Sequence, residues 1–214
     1  RALLAEYPPG STFKPFTALL GLQEGVMTPQ SVVSCNGGYH YGNRVMKCHA
    51  HASPLDMLHA IATSCNAYFA QEYRKIIEKY PTPAQGITAW RNDLRSFGFG
   101  EYLGSDFPIG RKGYIPDAAF YNRHYGENGW RATTNISNGI GQGEVLVTPL
   151  QLANALSAIA NKGDYYTPHI VRKIDGKTTP FTQYTEVKHT RVAPQYFDPI
   201  IKGMNLSYTG GTSR

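Results

Sequence analysis

Tyr7-Pro8-Pro9-Gly10-Ser11-Thr12-Phe13-Lys14-Pro15-Phe16 is the stretch around which the rest of this chain is organised. Pro8 and Pro9 impose an extended approach, because proline fixes φ and steers its predecessor away from helix. Gly10 permits a sharp turn, and from there Phe13, Phe16 and Leu20 recur at helical spacing. Pro15 deep inside a helix would cost roughly 3 kcal/mol, so the spacing predicts a helix that begins at or just before Ser11. Ser11 and Lys14 then lie one turn apart on one face, with Ser11 at the positive end of the helix dipole. A hydroxyl on a strained entry turn, with an amine in reach, is what an activated serine nucleophile needs. The amine acts as a base only where burial or neighbouring cations lower its pKa. Ser-x-x-Lys alone is a frequent tetrad, and Ser11 reads equally as an ordinary N-cap.

The 214 residues suit one substantial domain or part of a larger one, and 41% hydrophobic content supports a normal core. Only 17% are charged, while 15 tyrosines and 22 glycines point to a loop-rich α+β protein rather than a coiled coil or disordered tail. The net charge of +6 is scattered, with no basic run longer than two, which argues for a solvated surface and against a nucleic-acid partner. No apolar run approaches the ~18 residues of a membrane span, and no signal peptide is visible. The chain opens on Arg1 and stops at Thr212-Ser213-Arg214 without a closing element, so an anchor upstream is expected.

Downstream of the first helix, Gly25 is a C-cap candidate and Met27-Thr28-Pro29 a turn. Residues 31–52 carry no period. Ser53-Pro54-Leu55-Asp56 predicts a helix start with Ser53 at N-cap, Pro54 at N1 and Asp56 at N3. The pattern breaks at Ser64-Cys65-Asn66 and resumes with Phe69, Tyr73, Ile76 and Ile77, which predicts two helices joined there. Trp90, Leu94 and Phe97 mark a short helix, and residues 100–140 read as loop and short turns, long enough to suggest function. Thr148-Pro149-Leu150-Gln151 is a capping box opening a helix that ends at Asn161-Lys162-Gly163. Tyr166 to Ile174 is β-rich and leads into a turn at Asp175-Gly176-Lys177, a hairpin edge.

Ser64 and Asn66 at a helix–helix junction add a hydroxyl able to relay a proton and an amide able to hold a peptide carbonyl. On their own they read as N-cap residues. Together with Ser11 and Lys14 they resemble the penicillin-binding protein and serine β-lactamase superfamily, whose signatures are Ser-x-x-Lys, Ser-x-Asn and Lys-Thr-Gly. The opening decapeptide, Phe97-Gly98-Phe99-Gly100, Gly139-Ile140-Gly141-Gln142-Gly143, Thr148-Pro149-Leu150-Gln151 and Asn161-Lys162-Gly163 are similar to a class B transpeptidase of the rod-shape (elongation) type. The resemblance covers essentially all 214 residues.

It implies an α+β fold, a helical subdomain beside an antiparallel sheet whose strands lie mostly outside residues 1–214. It further implies a peptidoglycan D,D-transpeptidase in which Ser11 attacks the penultimate D-alanine carbonyl of a stem peptide. Lys14 takes the serine proton, Ser64 relays it, Asn66 holds the donor peptide, and Gln142 lies near the cleft or serves the turn alone. β-Lactams would acylate Ser11, the Ser11 N–H would supply one oxyanion donor, and no catalytic cofactor is needed. Implied partners are stem peptides, β-lactams, a membrane glycosyltransferase and cell-elongation proteins at the periplasmic face of the inner membrane. One signature is missing. Lys177-Thr178-Thr179 lacks the glycine and comes too early, so Lys-Thr-Gly is expected shortly beyond Gly211-Thr212 and residues 1–214 are expected to be a catalytically incomplete part of the domain. Two rivals remain: a β-lactamase-like hydrolase or β-lactam sensor, and a non-catalytic cell-wall scaffold.

Cys35, Cys48 and Cys65 fall between residues 35 and 65, with His49 and His51 beside Cys48. Three thiolates and one imidazole fit a structural zinc site, with His51 the preferred fourth ligand and His49 the runner-up. Cys65 alternates with Ser64 and Asn66, so its sulfur should face away from the cleft, towards residues 35–51. The resemblance adds that some rod-shape-type relatives carry metal ligands around this loop. A Cys35–Cys48 disulfide with Cys65 as a buried thiol, or three reduced core cysteines, are the alternatives. His40, His59, His124, His169 and His189 read as surface or satisfied histidines, and Asp56 as a cap.

Overall fold

A computed structural model describes residues 1–178 and 182–213; Thr179, the last residue of the Lys177-Thr178-Thr179 run, and Arg214 lie outside them. The nucleophile stretch folds as a 3-10 turn, Gly10–Phe13, that passes into helix α1, Lys14–Gln23. The helix expected from Ser11 therefore opens as a tighter coil. Pro15 sits in the first α-turn, where its missing N–H leaves no helical bond unmade. Every residue from Lys14 to Leu22 is buried. A helix covered on all sides belongs at the centre of its domain, and the other elements wrap around α1.

Its wrapping is largely aromatic. Phe16 meets Phe99 edge-on at 5.0 Å and Phe97 at 5.4 Å, while Phe13 packs against Phe99 at 5.6 Å. Trp90 joins Phe13 to Tyr73, whose ring lies 5.4 Å away. Burying each such ring stabilises by about 1.5–3 kcal/mol relative to exposure, so this layer fixes α1 and the turn before it. Phe97 and Phe99 come from the Phe-Gly-Phe-Gly run, which is thus a core motif.

Helix α2, Met57–Ala62, is only 6 residues long and leads through Thr63-Ser64-Cys65 into α3, Asn66–Glu78. The N-cap of α2 is Asp56, whose carboxylate accepts from His59 N–H at 2.9 Å; Ser53, the expected cap, instead accepts from Cys35 N–H at 2.8 Å. Helix α4 spans Pro83–Arg95, longer than the short helix expected, behind a Thr82/Gln85 capping box. The stretch expected to be loop holds helix α5, Ala118–Tyr125, capped by Asp117, and a 3-10 turn, Ile136–Ile140. Helix α6, Pro149–Ala160, has the expected Thr148/Gln151 box. The Gln151 amide also donates to the carbonyls of Gly98, Glu101 and Lys112 at 3.2, 3.0 and 2.8 Å. One buried side chain thereby ties down the aperiodic 98–112 segment. Helix α7, Phe197–Gly210, packs across α2 and α1.

Strands are few and short among the described residues. β1, Gly38–Tyr41, pairs antiparallel with β2, Arg44–Lys47, so that Gly38 faces Lys47. β3, Asp164–Tyr165, pairs with β6, Lys188–His189, and β4, Lys173–Ile174, with β5, Lys177–Thr178. The hairpin at Asp175-Gly176 is as expected, but only the last two residues of the β-rich run before it, Lys173 and Ile174, form a strand. Asp106 accepts from the N–H groups of Ile170 and Val171 at 3.1 and 2.7 Å, occupying donors that a ladder would use. No helix among the described residues is long and apolar enough to cross a membrane.

Candidate active site

Lys14 is 2% exposed and directs its ammonium into the bend between α2 and α3. It donates to the Ser64 carbonyl at 2.6 Å, the Ser64 hydroxyl at 2.8 Å and the Asn66 Oδ1 at 2.7 Å. Residues fifty positions apart in the chain are thus joined by all three ammonium protons. The bend is strained to achieve this: Ser64 has φ of +55°, a left-handed conformation that costs a non-glycine residue about 1–3 kcal/mol. That turn aims both oxygens of Ser64 at one nitrogen. Burial lowers the Lys14 pKa to about 8, against the opposing pull of Cys48 and Cys65. The amine is therefore close to the condition of a base near neutral pH.

Asn66 is held at both ends. Its Nδ2 donates to the Lys47 carbonyl at 2.9 Å, and its backbone N–H donates to Cys48 Sγ at 3.2 Å. Ser11 is exposed and lines, with Lys14 and Ser64, a cavity of about 260 Å³. Ile61, Leu156 and Met204 make its apolar wall, and Ser207, Thr212 and Ser213 its far rim. A larger hollow of about 500 Å³, lined by Leu3, Leu4, Tyr102, Phe107 and Ile109, holds none of these groups. Gln142 is exposed on the turn after Gly141 and is not part of the cavity wall.

Behind Asn66, Cys35, Cys48, His51 and Cys65 each offer one ligand atom, and the four atoms all lie within 4.8 Å of one another. Cys65 is 1% exposed and its sulfur turns away from the cavity, as the alternation with Ser64 and Asn66 implied. His51 Nε2 is 3.2 Å from Cys48 Sγ, and its Nδ1 is 2.7 Å from the Ala52 carbonyl. An Nδ1–H donated to that carbonyl leaves the Nε2 lone pair facing the sulfurs, the usual way a ligand histidine is oriented. Burial raises the Cys65 thiol to about 12 and also raises Cys35. Burial pushes Cys48 up too, but hydrogen bonds from His51 and the Asn66 N–H outweigh it and the net shift is downward. All three cysteines are free of disulfides. His49 is outside this group and stacks edge-on against His51 at 5.5 Å.

The remaining histidines are spread over the surface. His59 pairs with Asp56, and His189 faces Asp164 at 2.7 Å. His124 Nδ1 donates to the Phe120 carbonyl at 2.8 Å, and His169 stacks on Tyr184. Not foreseen from the sequence are the Lys47 carbonyl and Cys48 sulfur on Asn66, and the Leu156–Met204 wall. The basic, aromatic run Gly38–Lys47 offered no period to reveal a hairpin standing beside the Ser64 bend.

A family model described as penicillin binding protein transpeptidase domain matches residues 1–214. The peptidoglycan D,D-transpeptidase MrdA of Acinetobacter baumannii is 34% identical over 187 residues, 85% of this chain and 26% of that protein. PBP2 of Pseudomonas aeruginosa, solved in complex with WCK 5153, superposes with a TM-score of 0.82 at 29% identity, over 99% of this chain and 47% of that one. A chain of a peptidoglycan synthase complex, described as coordinating polymerization and crosslinking, gives 0.83 at 28% identity, over 100% of this chain and 34% of that one.

Proposed function

Because the chain belongs to the penicillin-binding protein transpeptidase family and has its fold, we propose that its site crosslinks peptidoglycan stem peptides through an acyl-Ser11 intermediate. The observation that carries this is the buried Lys14 ammonium, bonded to Ser64 and Asn66 in the cavity that Ser11 lines. In its neutral form Lys14 takes the Ser11 proton as Oγ attacks the penultimate D-alanine carbonyl. Ser64, 2.8 Å from that amine, passes the proton to the departing D-alanine. The Ser11 N–H, at the start of a helix, is one donor to the oxyanion. Asn66, fixed by Lys14 and Lys47, presents its amide to the donor peptide, and Gln142, exposed outside the cavity wall, serves the turn. An amine from a second strand then attacks the acyl-enzyme, and β-lactams acylate the same oxygen.

On this assignment residues 1–214 are part of one transpeptidase domain. The full reading frame carries Lys-Thr-Gly or Lys-Ser-Gly beyond Thr212, supplying the second oxyanion donor and the grip on the substrate carboxylate. The protein acts at the extracytoplasmic face of the inner membrane, in the company of a glycosyltransferase and other elongation proteins. A fluorescent penicillin tests the chemistry on the full-length protein. A label retained for hours on the unmutated protein and absent from Ser11→Ala supports transpeptidation. Rapid release of the label favours a hydrolase, and no labelling at all a scaffold.

We further infer that Cys35, Cys48, His51 and Cys65 hold a structural zinc ion. Three sulfurs and one imidazole are a donor set that suits tetrahedral zinc, with ligand distances of about 2.0–2.3 Å. Their spread of at most 4.8 Å between ligand atoms supports it. When bound, the ion would staple residues 35–51 to the start of α3, through the cysteine adjacent to Asn66. Elemental analysis of the purified protein against Cys65→Ser decides: one zinc per chain in the former and a loss in the latter is expected, and no zinc in the unmutated protein rules it out.

A further inference from the structure

The turn bearing Ser11 is braced on both sides by one glycine-rich segment from the far half of the chain. Before the serine, the Gly10 N–H donates to the Gly141 carbonyl at 2.8 Å. After it, one turn beyond Lys14, the Thr17 hydroxyl donates to the Gly139 carbonyl at 2.8 Å. Thr17 is 0% exposed, and its hydroxyl makes this bond across 122 positions of sequence. The braces fit without slack. Gly141 has φ of +68°, and a Cβ there would lie 2.5 Å from Phe13 Cβ. A Cβ on Gly139 would lie 2.5 Å from Tyr73 Cβ on α3. The segment is itself anchored: Asn138 bonds the Tyr121 hydroxyl at 2.8 Å, and Tyr73 donates to Asn135 at 3.1 Å.

We propose that Thr17 and Gly141 are positioning residues for acylation of Ser11, setting the height of the serine turn against the Ser64 bend. Neither touches the cavity, so each acts through α1 and the Gly10 turn. Ser11 is exposed, and its carbonyl accepts from the Lys14 N–H; its placement is inherited from Gly10 and Lys14. Lys14 is pinned by the Ser64 bend, and the 139–141 segment pins the other face of the same turn. Loss of the Thr17 hydroxyl removes one of the two hydrogen bonds that set the serine turn against this segment, and a shift of about 1 Å at a reacting atom costs on the order of 100-fold in rate. The inference rests on the acyl-serine function proposed above.

The test uses the full-length protein and a chromogenic cephalosporin, with rapid mixing to separate the dissociation constant of the first complex from the acylation rate constant. Thr17→Val keeps the shape and removes the hydroxyl; Thr17→Ser keeps the hydroxyl. The expected result is an acylation rate constant about 10- to 100-fold lower in Thr17→Val, an unchanged dissociation constant, and a near-normal rate in Thr17→Ser. Gly141→Ala should reproduce the Thr17→Val phenotype from the other brace. Rates are referred to the folded fraction measured by circular dichroism, so that a loss of stability does not mimic a loss of rate. Equal rate constants for Thr17→Val and the unmutated protein overturn the inference, as does a Thr17→Ser variant as slow as Thr17→Val. Failure of the unmutated protein to acylate instead overturns the function on which it rests.

Discussion

The Lys14 ammonium lies 2.8 Å from the Ser64 hydroxyl, and the left-handed turn at Ser64 places it there. Backbone strain at one residue and burial at another thus converge on a single nitrogen. Energy spent on such geometry is characteristic of sites whose groups must be held ready in advance.

The Lys14 pKa of about 8 gives acylation a definite pH dependence. Lys14 accepts a proton only when neutral, so the second-order rate of β-lactam acylation should rise through pH 8 and level off above it. An amine at its ordinary value would carry the rise to about pH 10. Lys14→Met should remove the rise and lower the rate by about 10²–10⁴-fold, with Ser11 still present. A profile flat from pH 6 to 9 in the unmutated protein would contradict the base assignment.

Glu72 on α3 is 0% exposed, and both of its carboxyl oxygens lack a hydrogen-bond partner among the described residues. It fills the notch at Gly21 of α1, where a Cβ would lie 2.8 Å from Glu72 Cγ. Burial raises its pKa well above the usual range, and Lys75 offsets this only in part. The folded chain therefore binds this proton more tightly than the unfolded chain. The Glu72 contribution to stability is greatest below the unfolded value of about 4.3 and declines as pH rises above it. Glu72→Leu should raise stability by about 1–3 kcal/mol at pH 7, and the gain should be larger at pH 8 than at pH 5 in thermal melts. An equal gain at both pH values would show that Glu72 titrates normally.

Gln151 satisfies three loop carbonyls and completes the α6 capping box. Gln151→Ala leaves those carbonyls without their donor and should destabilise by about 2–4 kcal/mol. Hydrogen exchange should increase first across residues 98–112. Protection unchanged in that segment would mean that it is held by other contacts.

If the Cys35–Cys48–His51–Cys65 group holds zinc, a strong chelator should lower the melting temperature and loosen residues 35–51. Because Asn66 N–H rests on Cys48 Sγ, the same treatment should slow acylation. A chelated protein with unchanged melting and unchanged acylation would separate this cluster from the site.

What the sequence revealed follows the range of the forces concerned. The Thr148/Gln151 box closes within one helical turn and was legible as written. So were the break at Ser64-Cys65-Asn66, where the apolar period stops, and the outward alternation of Cys65. Asp56 displaced Ser53 as the α2 cap because the Ser53 hydroxyl is drawn to Cys35 N–H, 18 positions away. Helix α5 was hidden because only Tyr121 on it is fully buried, which leaves no stripe to read, although Asp117 was a cap signal. The β-rich run after Tyr166 is strand only at Lys173–Ile174, because the Ile170 and Val171 N–H groups before it go to a distant carboxylate, Asp106. Ser11-x-x-Lys14 and Ser64-x-Asn66 were recognisable as motifs, but their junction through Lys14 Nζ exists only once α1 is buried.

Intact-mass measurement after exposure of the full-length protein to benzylpenicillin, followed by peptide mapping, is the most direct test of the central claim. The expected result is one stable adduct located on Ser11, absent from Ser11→Ala and much slower to form in Lys14→Met. No adduct, or an adduct on any other residue, would contradict it.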